Sequence, residues 1–571
     1  MPKTLEEYTK DELIEIIKNL KRRKKFGLVW EDKPEKVVLL CETDLPVLEE
    51  VAKRAIDKVK DAPTNFILEG DNYHSLSALN YTHTGKVDFI YIDPPYNTGA
   101  RDWRYNNDYV DDSDTFRHSK WLSFIANRLQ LAKNLLAEDG VLCVTIDDYE
   151  MPRLWMLLDD IFGYENHLGT VVIRNNPKGR MTKRKFSLVH EYGIFFGKSS
   201  KSNIKKLPVD PSEKTHNYKQ DTDGSWFLPV NLRKQGVDSD AYNKKGELSH
   251  RFYPIYFDPD TGAVSATKKY PVVIEPIDSK GTKRIWRRGK EVIDAMYESG
   301  DLWVQKTAHG YQPYFKFRGG LDGKLAQSIW AEAHFSASDY GTKILDSILG
   351  EREKFQYPKA PQAVKQSILS ATNKKDALIL DFFAGSGTTG HAVLELNKED
   401  AGNRRFILCT NNENSIAEEV TYPRIKNVID GYGSIDGIPA NLRYFKTSLV
   451  SKQQTDDQTR IELVARSTDM ICLREDTFEK IIDTKLFKVF GNSEYYTAIV
   501  FEPEAIVLLK DALAKLKDNK PIHIYVFSLS NDTYESDFAD LERLHELRPI
   551  PESILEVYRR IHNVRSEELR G

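Results

Sequence analysis

The stretch that most constrains this chain is KVDFIYIDPPYNTG, at residues 86–99. Its apolar run predicts a short buried strand that ends abruptly at Asp93, Pro94, Pro95 and Tyr96. Two successive prolines remove two backbone donors and fix two φ angles, so we expect the carbonyl groups beside Asp93 to face outward with no donor in the chain. The stretch therefore predicts a rigid acidic corner whose acceptors lack partners.

Such a corner suits a planar ligand that carries an amino group. A carboxylate beside a proline carbonyl accepts both hydrogens of an exocyclic amino group, and the ring of Tyr96 offers a face for a planar base. The alternative is an ordinary turn from strand to loop, because Asp-Pro and Pro-Pro are common turn dipeptides. This stretch alone leaves both interpretations open.

A second stretch, ALILDFFAGSGTTGHAVL at residues 377–394, favours the ligand. It predicts a buried strand, a glycine turn and a helix, which present backbone amides and a helix N-terminus to a small molecule. Gly385, Gly387 and Gly390 match the G-x-G-x-x-G spacing of dinucleotide enzymes, a weak match by itself. Asp381, at the strand end, would repel a pyrophosphate and favours a cationic or amino-bearing ligand. The phosphate-binding pattern G-x-x-x-x-G-K-[ST] does not occur.

Together, DPPY at residues 93–96 and DFFAGSGTT at residues 381–389 resemble the catalytic and cofactor motifs of S-adenosylmethionine-dependent DNA amino-methyltransferases. Their order resembles the permuted β class of that family, and most narrowly the modification (Mod) subunit of type III restriction-modification systems. The resemblance is weaker between residues 198 and 320. It implies an α/β fold: a doubly wound Rossmann-like methyltransferase sheet in permuted motif order, an inserted target-recognition domain and an α+β C-terminal domain.

The resemblance also implies roles for individual residues. Asp71 would accept from the adenine amine of the cofactor, although its position equally suits a helix N-cap. Many relatives place a glutamate near the end of the strand at residues 405–410 for the ribose, whereas this chain offers Asn412 or Glu413. The implied catalytic residues are Asp93, Pro94, Pro95 and Tyr96, and those implied to bind S-adenosylmethionine are Asp71, Lys359, Asp381, Phe383, Gly385, Ser386, Gly387, Thr388, Thr389 and Asn412.

Length and composition bound the organisation. A chain of 571 residues is too long for one core, so we expect several domains. Its four cysteines are scattered singly, which supports neither a disulfide framework nor a zinc site and favours the cytoplasm. The charged N-terminus carries no apolar run of signal or membrane length. The predicted domains are an N-terminal helical docking segment at 1–60, the two parts of the methyltransferase domain at 61–198 and 331–435, the target-recognition domain at 199–330 and the C-terminal domain at 436–571.

Basic residues concentrate in one part of the chain. Residues 171–330 hold 29 Lys and Arg against 17 Asp and Glu, although the whole chain has a formal net charge of −4. DNA is therefore expected along this segment. A predicted hairpin over residues 169–196 would place its basic tip on DNA phosphates; the alternative is a solvated loop. The basic cluster at residues 283–288 would also contact DNA; the alternative there is an exposed helix end. The candidate DNA-binding residues are Lys178, Arg180, Lys183, Arg184, Lys283, Arg284, Arg287 and Arg288.

Other segments predict ordinary elements. Residues 5–25 predict a helix that docks a partner or packs on its own protein. Helices over residues 116–136 and 151–162 flank a strand at residues 141–146, while residues 101–114 suggest a mobile loop that closes over the ligand. In the acidic C-terminal region, strands at residues 496–501 and 521–529 and helices near 503–517 and 551–562 are expected, with dimerisation or subunit contact as the role.

The resemblance, together with the acidic corner, implies methyl transfer from S-adenosylmethionine to the N6 amine of adenine in duplex DNA, by base flipping and without a metal. The predicted partners are double-stranded DNA, a second copy of the chain and a separate restriction subunit, since no helicase or nuclease motif occurs here. Alternatives are transfer to the N4 amine of cytosine, for which relatives more often have serine in place of Asp93, and a DNA-binding subunit without catalysis. An NAD-dependent oxidoreductase is disfavoured by Asp381.

Overall fold

The structure is a computed structural model that describes residues 9, 28–106, 108–179, 186–208, 218–243, 245–308, 310–318, 323–530, 532 and 534–568. The predicted helix over residues 5–25, apart from Thr9, lies outside the described residues. So do three of the predicted DNA contacts, Arg180, Lys183 and Arg184. The chain divides into two compact units, Met1–Lys205 with Gln327–Gly571, and Lys206–Ala326.

The strands were numbered in chain order. They are β1 Leu45–Glu50, β2 Thr64–Glu69, β3 Val87–Ile92, β4 Ala100–Tyr105, β5 Asp108–Asp111, β6 Leu136–Ile146, β7 His167–Ile173, β8 Glu191–Gly197, β9 Lys206–Leu207, β10 Lys219–Gln220, β11 Trp226–Asn231, β12 Ile255–Phe257, β13 Val264–Ser265, β14 Val272–Ile274, β15 Leu302–Thr307, β16 Gly310–Phe317, β17 Lys324–Leu325, β18 Ile329–Trp330, β19 Leu378–Asp381, β20 Arg405–Thr410, β21 Gly431–Tyr432, β22 Ile435–Asp436, β23 Asn441–Val450, β24 Glu479–Asp483, β25 Phe487–Gly491, β26 Tyr496–Val500, β27 Ile522–Phe527 and β28 His545–Ile550.

The α-helices were numbered in the same way. They are α1 Lys36–Leu40, α2 Asn72–Thr82, α3 Arg117–Leu135, α4 Met151–Phe162, α5 Ile293–Glu298, α6 Lys343–Leu349, α7 Pro361–Ala371, α8 Thr388–Asp400, α9 Tyr422–Asp430, α10 Asp456–Arg466, α11 Thr468–Glu475, α12 Ile506–Leu513, α13 Glu535–Phe538 and α14 Glu552–Glu568.

A ten-stranded sheet organises the larger unit, in the order β1-β23-β2-β20-β19-β3-β6-β8-β7-β18. The six strands from β23 to β6 run parallel, and β8 pairs antiparallel with both β6 and β7. Parallel strands end at the same edge of a sheet, so the residues that follow β2, β20, β19 and β3 share one edge. Strands β19 and β3 are direct neighbours there.

Burial explains why these strands form. The side chains of β19 are buried throughout, and β3 is buried except at Asp88. Strands that are covered on both faces need near-continuous apolar sequence, which is what residues 87–92 and 378–381 supply. The mixed α/β architecture predicted from the sequence is confirmed.

Most predicted elements occur with shifted ends. The predicted helices over residues 116–136 and 151–162 are α3 and α4, and the predicted hairpin over 169–196 is the β7–β8 pair. Strand β6 starts at Leu136, earlier than the predicted residue 141, because Leu136 already pairs with Val87 across a register shift. The loop predicted over residues 101–114 is wrong: β4 and β5 form a hairpin there that buries Trp103 and Val110.

The C-terminal residues add a second sheet to the larger unit, in the order β24-β25-β26-β27-β28. The strands predicted at residues 496–501 and 521–529 are β26 and β27, and the predicted helices appear as α12 and α14. Residues packed under this sheet include Val489, Ala498, Leu509 and Ile524. Among the described helices, none is long and apolar enough to cross a membrane.

The smaller unit, Lys206–Ala326, is built mainly from short antiparallel strands. It contains a four-stranded sheet, β10-β11-β16-β15, and a three-stranded sheet, β13-β12-β14. Its core holds Trp286, whose indole Nε1 donates to the Tyr253 carbonyl over 2.8 Å, together with Leu232 and Ile293. The helix end considered for residues 283–288 is wrong, because this segment forms isolated bridges to residues 233, 240 and 277.

Candidate active site

The corner after β3 is held by three donors to one oxygen of Asp93. The hydroxyls of Tyr96 and Thr145 each donate to Asp93 Oδ1 over 2.8 Å, and the ammonium of Lys359 lies 3.0 Å from the same atom. None of the bonds found among the described residues goes to Asp93 Oδ2. The carboxylate is 29% exposed, so one oxygen is anchored by the protein while the other is open to a ligand.

Lys359 and Glu191 form a buried ion pair beside this carboxylate. Lys359 Nζ lies 2.5 Å from Glu191 Oε2 and 2.6 Å from the Tyr96 hydroxyl, and it sits 5.0 Å from the centre of the Tyr96 ring. The Tyr96 hydroxyl also lies 3.1 Å from Glu191, and Asn175 donates to Glu191 over 2.5 Å. The acidic corner is thus a network of two carboxylates, one ammonium and one phenol.

Burial governs the ionisation of this network. Burial raises the pKa of Glu191, with the Asp93 charge adding to the rise and Lys359 opposing it. Burial also raises the pKa of Tyr96 well above its usual value, helped by both carboxylates, so the phenol stays protonated. The pKa of Lys359 is raised because the two carboxylates outweigh the burial of its ammonium.

The two proline carbonyls of the corner differ. The Trp121 indole Nε1, on α3, donates to the Pro95 carbonyl over 2.7 Å. The expectation that every carbonyl beside Asp93 lacks a donor is therefore wrong for Pro95, because a fully buried tryptophan reaches it. No donor within the described part of the chain reaches the Pro94 carbonyl. Pro94 and Asp93 Oδ2 are the two acceptors left for a ligand.

The glycine turn follows the neighbouring strand β19. Gly385 and Gly387 have φ angles of +49° and +79°, a region that side chains rarely adopt, and α8 begins directly after them. A Cβ on Gly387 would lie 3.3 Å from Thr421 Cγ2. The turn thus places the N-terminus of a 13-residue helix at the same sheet edge as Asp93.

Three hydroxyls predicted to bind a cofactor hold this turn together. Arg424, fully buried on α9, donates to Ser386 Oγ over 2.9 Å and to Thr388 Oγ1 over 2.8 Å. Thr389 donates to Asp381 Oδ2 over 2.5 Å. These side chains are buried within the protein, so it is the backbone of the turn that is left to face a ligand.

Asp381 is a buried carboxylate with neutral partners. The Phe383 backbone N–H donates to Oδ1 over 3.0 Å and Thr389 to Oδ2, and the side chain is 3% exposed. Burial raises the pKa of Asp381 to about 7. A buried carboxylate of this kind gains from a cation, because an opposite charge favours its ionised form. A ligand that carries an ammonium or sulfonium group fits this position.

Asp71, after β2, takes the helix N-cap position considered for it. Its Oδ1 accepts from the Tyr73 backbone N–H over 2.7 Å, which caps α2, and lies 3.3 Å from the Arg128 guanidinium. Arg128 is fully buried and forms a bidentate pair with Glu35, with distances of 2.9 and 2.7 Å. These bonds fix the orientation of the Asp71 side chain, which is 33% exposed.

An aromatic row lies between Asp71 and the glycine turn. The ring of Phe383 lies 5.9 Å from Phe124, which in turn lies 5.2 Å from Trp103. Asn72 joins the two regions, because its side-chain amide donates to the Phe382 carbonyl over 2.9 Å. Asn412, the ribose candidate, accepts from the Glu418 backbone N–H over 3.2 Å.

The described DNA-binding candidates differ in how far they are engaged within the protein. Arg284 pairs with Asp278 over 2.8 Å, and Arg287 donates to the Asn231 carbonyl over 3.0 Å. Exposed are Lys283, whose ammonium lies 5.3 Å from the Phe252 ring, and Arg288, which lies 4.8 Å from the Phe315 ring. Lys178 lies in the turn between β7 and β8.

Sequence reasoning missed several residues of the site. Glu191 and Thr145 complete the corner, and Arg424 and Arg128 support the glycine turn and Asp71. Glu191 gave one usable signal, since a charged residue opens the otherwise apolar strand EYGIFFG. Within the described residues, no group of His, Cys, Asp and Glu is suited to hold a metal.

Comparison with known proteins decides the family. A family model described as DNA methylase matches residues 87–420, more than half of the chain, and the match contains both the Asp93 corner and the glycine turn. This chain belongs to the DNA methylase family. The corner of Asp93 and the pocket of Asp381 therefore belong to a DNA methylase, whose chemistry is methyl transfer to DNA.

Relatives of this DNA methylase come from two kinds of modification system. It is 35% identical over 364 residues to the type II methyltransferase M.KpnI of Klebsiella pneumoniae, covering 63% of this chain and 84% of that protein. Two other relatives are Mod subunits of type III restriction-modification enzymes. The chain is 31% identical over 380 residues to the EcoPI Mod subunit of Escherichia phage P1. It is 27% identical over 394 residues to the StyLTI Mod subunit of Salmonella typhimurium. Those matches cover 61% and 64% of this chain but only 58% and 55% of the two Mod subunits.

Proposed function

We propose that this DNA methylase transfers a methyl group from S-adenosylmethionine to the N6 amine of adenine in duplex DNA. The observation that carries the proposal is a pair of acceptors at the corner that no donor of the described residues reaches. Asp93 Oδ2 and the Pro94 carbonyl follow β3, next to the strand that ends at Asp381. An exocyclic amine has two hydrogens, and this corner provides one acceptor for each.

The cofactor part of the proposal rests on the pocket after β19. When bound, S-adenosylmethionine supplies an electrophilic methyl group on a sulfonium. Asp381 would hold a positive group of the molecule, the backbone of residues 385–389 would contact it at the start of α8, and Asp71 would accept from its adenine amine. Phe383, whose ring lies 5.9 Å from Phe124, would offer an aromatic face. The raised pKa of Asp381, to about 7, supports a cationic occupant.

Asp93 and Pro94 would act on the amine of the target base. The amino nitrogen is a poor nucleophile, because its lone pair is delocalised into the ring. By accepting both hydrogens, the carboxylate and the carbonyl favour a pyramidal nitrogen whose lone pair is free to attack. Tyr96 would stack on the base, with its hydroxyl fixed by Asp93 and Glu191.

The target base must leave the helix to reach this corner. Inside a stacked duplex its amino group is paired, so the base has to be flipped out at a cost of a few kcal/mol. Contacts to the DNA backbone would supply that energy. Lys178, Lys283 and Arg288 are the described candidates for such contacts.

The proposed architecture keeps the predicted boundaries. Residues 61–198 and 331–435 would be two parts of one Rossmann-like methyltransferase domain in permuted order, since the corner precedes the glycine turn in the chain. The run of parallel strands from β2 to β6, in the order β2-β20-β19-β3-β6, supports this assignment. Residues 199–330 would be the target-recognition domain, which agrees with a compact unit at Lys206–Ala326. Residues 1–60 and 436–571 would serve docking and subunit contact.

We further propose that the chain is the modification and DNA-recognition subunit of a type III restriction-modification system, acting in the cytoplasm. Its likeness to the EcoPI and StyLTI Mod subunits supports this role. A second copy of the chain and a restriction subunit would be its protein partners. Purification of the chain alone and with such a subunit, followed by light scattering, tests the assembly; a monomer that binds no restriction subunit contradicts it.

The test of the reaction identifies the methylated base. Labelled S-adenosylmethionine and mixed-sequence duplex DNA are incubated with the protein, and the product nucleosides are separated. Label in N6-methyladenine supports the proposal. Label in N4-methylcytosine keeps the mechanism but replaces the base, and DNA binding without label in either base leaves a recognition subunit without catalysis.

A further inference from the structure

The corner contains an ion pair that the proposed reaction does not use. Glu191 opens β8 and Lys359 precedes α7, far apart in the chain, yet Lys359 Nζ lies 2.5 Å from Glu191 Oε2. Their side chains are only 2% and 11% exposed. Burying two charges is costly unless they are paired, and here the pair also touches Asp93 and Tyr96. Its position at the reacting carboxylate calls for a role beyond packing.

Counting charges indicates that role. Asp93 and Glu191 are two carboxylates joined through one phenol, and two like charges this close repel each other. The ammonium of Lys359 lies within 3.0 Å of both and cancels one of the two charges. With Glu191 and Lys359 paired, their two charges cancel beside Asp93.

The geometry indicates which oxygen of Asp93 is left to accept from the target amine. Asp93 Oδ1 accepts from Tyr96 and Thr145 and contacts Lys359, while none of these bonds involves Oδ2. Three donors on one oxygen fix the plane of the carboxylate. The second oxygen is thereby held in one direction, as recognition of an amino group requires.

We infer that Glu191 and Lys359 are positioning residues whose charges cancel beside Asp93 and which hold its Oδ1, so that Oδ2 stays directed at the amino group of the target base. The inference rests on the proposed methyl transfer and adds two residues to it. Removing either charge alone unbalances the corner. Removing both restores the balance, because neither an unpaired ammonium nor a second carboxylate is left beside Asp93.

The test is a double-mutant cycle with Glu191→Gln, Lys359→Met and the two combined. Single-turnover methyl transfer to duplex DNA gives the rate, and titration calorimetry gives the affinity for S-adenosylmethionine. Each single variant should lose about 10- to 100-fold in rate, with the affinity unchanged within about threefold. The double variant should be at least about tenfold faster than the slower single variant.

Matched controls separate charge balance from stability. Lys374→Met with Asp139→Asn removes a half-exposed pair, 3.0 Å apart and away from the corner, and should leave the rate near wild type. Lys359→Arg keeps the charge and should retain more activity than Lys359→Met. If the methionine variant does not fold, the isosteric Glu191→Gln carries the test alone.

Three results overturn the inference. One is a double variant whose rate falls by at least the product of the two fold-reductions seen in the single variants. Another is a wild-type rate for Glu191→Gln. The third is a Lys359→Met variant with an unchanged rate and at least about tenfold weaker cofactor binding, which would make Lys359 a cofactor contact. In each, an active wild type distinguishes this failure from failure of the proposed function, in which the wild type itself transfers no methyl.

Discussion

At the scale of single residues, the two oxygens of the Asp93 carboxylate have different surroundings. Asp93 Oδ1 is bound by neighbours from β6 and from the segment before α7, whereas Oδ2 is open. Asp381 differs, because both of its oxygens accept from neutral groups and no cation in the described part of the chain pairs with it. In the proposed function, the first carboxylate would accept hydrogens and the second would pair with a cation.

Asp381 makes cofactor affinity depend on pH. Its pKa is raised to about 7 without ligand, and a cation beside it would lower that pKa. Binding then releases a proton below pH 7, so affinity for S-adenosylmethionine should rise with pH between about 5.5 and 7, by at most about tenfold per unit. Calorimetry in two buffers of different ionisation enthalpy measures the released proton. A flat profile for wild type, or an equal slope for Asp381→Asn, contradicts this assignment.

At the scale of elements, the glycine turn depends on a helix that follows it in the chain. Arg424 on α9 donates to two hydroxyls of the turn between β19 and α8. The same arginine donates to the Ser386 carbonyl over 3.4 Å and lies 3.3 Å from His391 on α8. A rearrangement of the turn is therefore coupled to α9.

Arg424→Met should damage both stability and cofactor binding. It leaves buried hydroxyls without their donor, so we expect the free energy of unfolding to fall by about 2–3 kcal/mol and S-adenosylmethionine affinity to fall at least about fivefold. Arg404→Met is the matched control, because Arg404 is buried at the other end of α8, where it pairs with Asp400 over 2.8 Å. The control should lose stability only. Equal loss of affinity in both variants would refute a specific role for Arg424.

Sequence could predict the parts of the site that are local. The strand, corner and turn around Asp93, and those around Asp381, are contiguous, so apolar runs, prolines and glycines determine them. Glu191 and Lys359 reach Tyr96 from 95 and 263 residues away, and no local pattern encodes those contacts. The β4–β5 hairpin was not predicted, because polar residues dominate its sequence and outnumber the buried residues Trp103 and Val110.

At the scale of the whole molecule, the segment in which basic residues outnumber acidic ones lies in a different part of the chain from Asp93 and Asp381. Asp93 and Asp381 lie in the larger unit, whereas the basic residues concentrate in residues 171–330, most of which belong to the smaller unit. A chain with net charge −4 can bind DNA in this way because phosphates respond to local charge. DNA affinity and cofactor affinity should therefore respond to different substitutions.

Lys283→Ala combined with Arg288→Ala tests this separation. Both side chains are exposed, so we expect DNA affinity to fall and the dependence of log affinity on log salt concentration to weaken by about 1 to 2. Affinity for S-adenosylmethionine should stay unchanged. Lys219→Ala with Lys324→Ala, two other exposed lysines of the smaller unit, provides the comparison. An unchanged salt dependence would exclude Lys283 and Arg288 from the DNA contact.

The central claim is that Asp93 accepts from the amine that is methylated. The measurement that tests it most directly is single-turnover methyl transfer to duplex DNA by wild type and Asp93→Asn, with S-adenosylmethionine affinity measured on the same samples. We predict N6-methyladenine from wild type, a rate at least about 100-fold lower for the variant, and cofactor affinity within about threefold. A variant that methylates adenine at the wild-type rate would contradict the account.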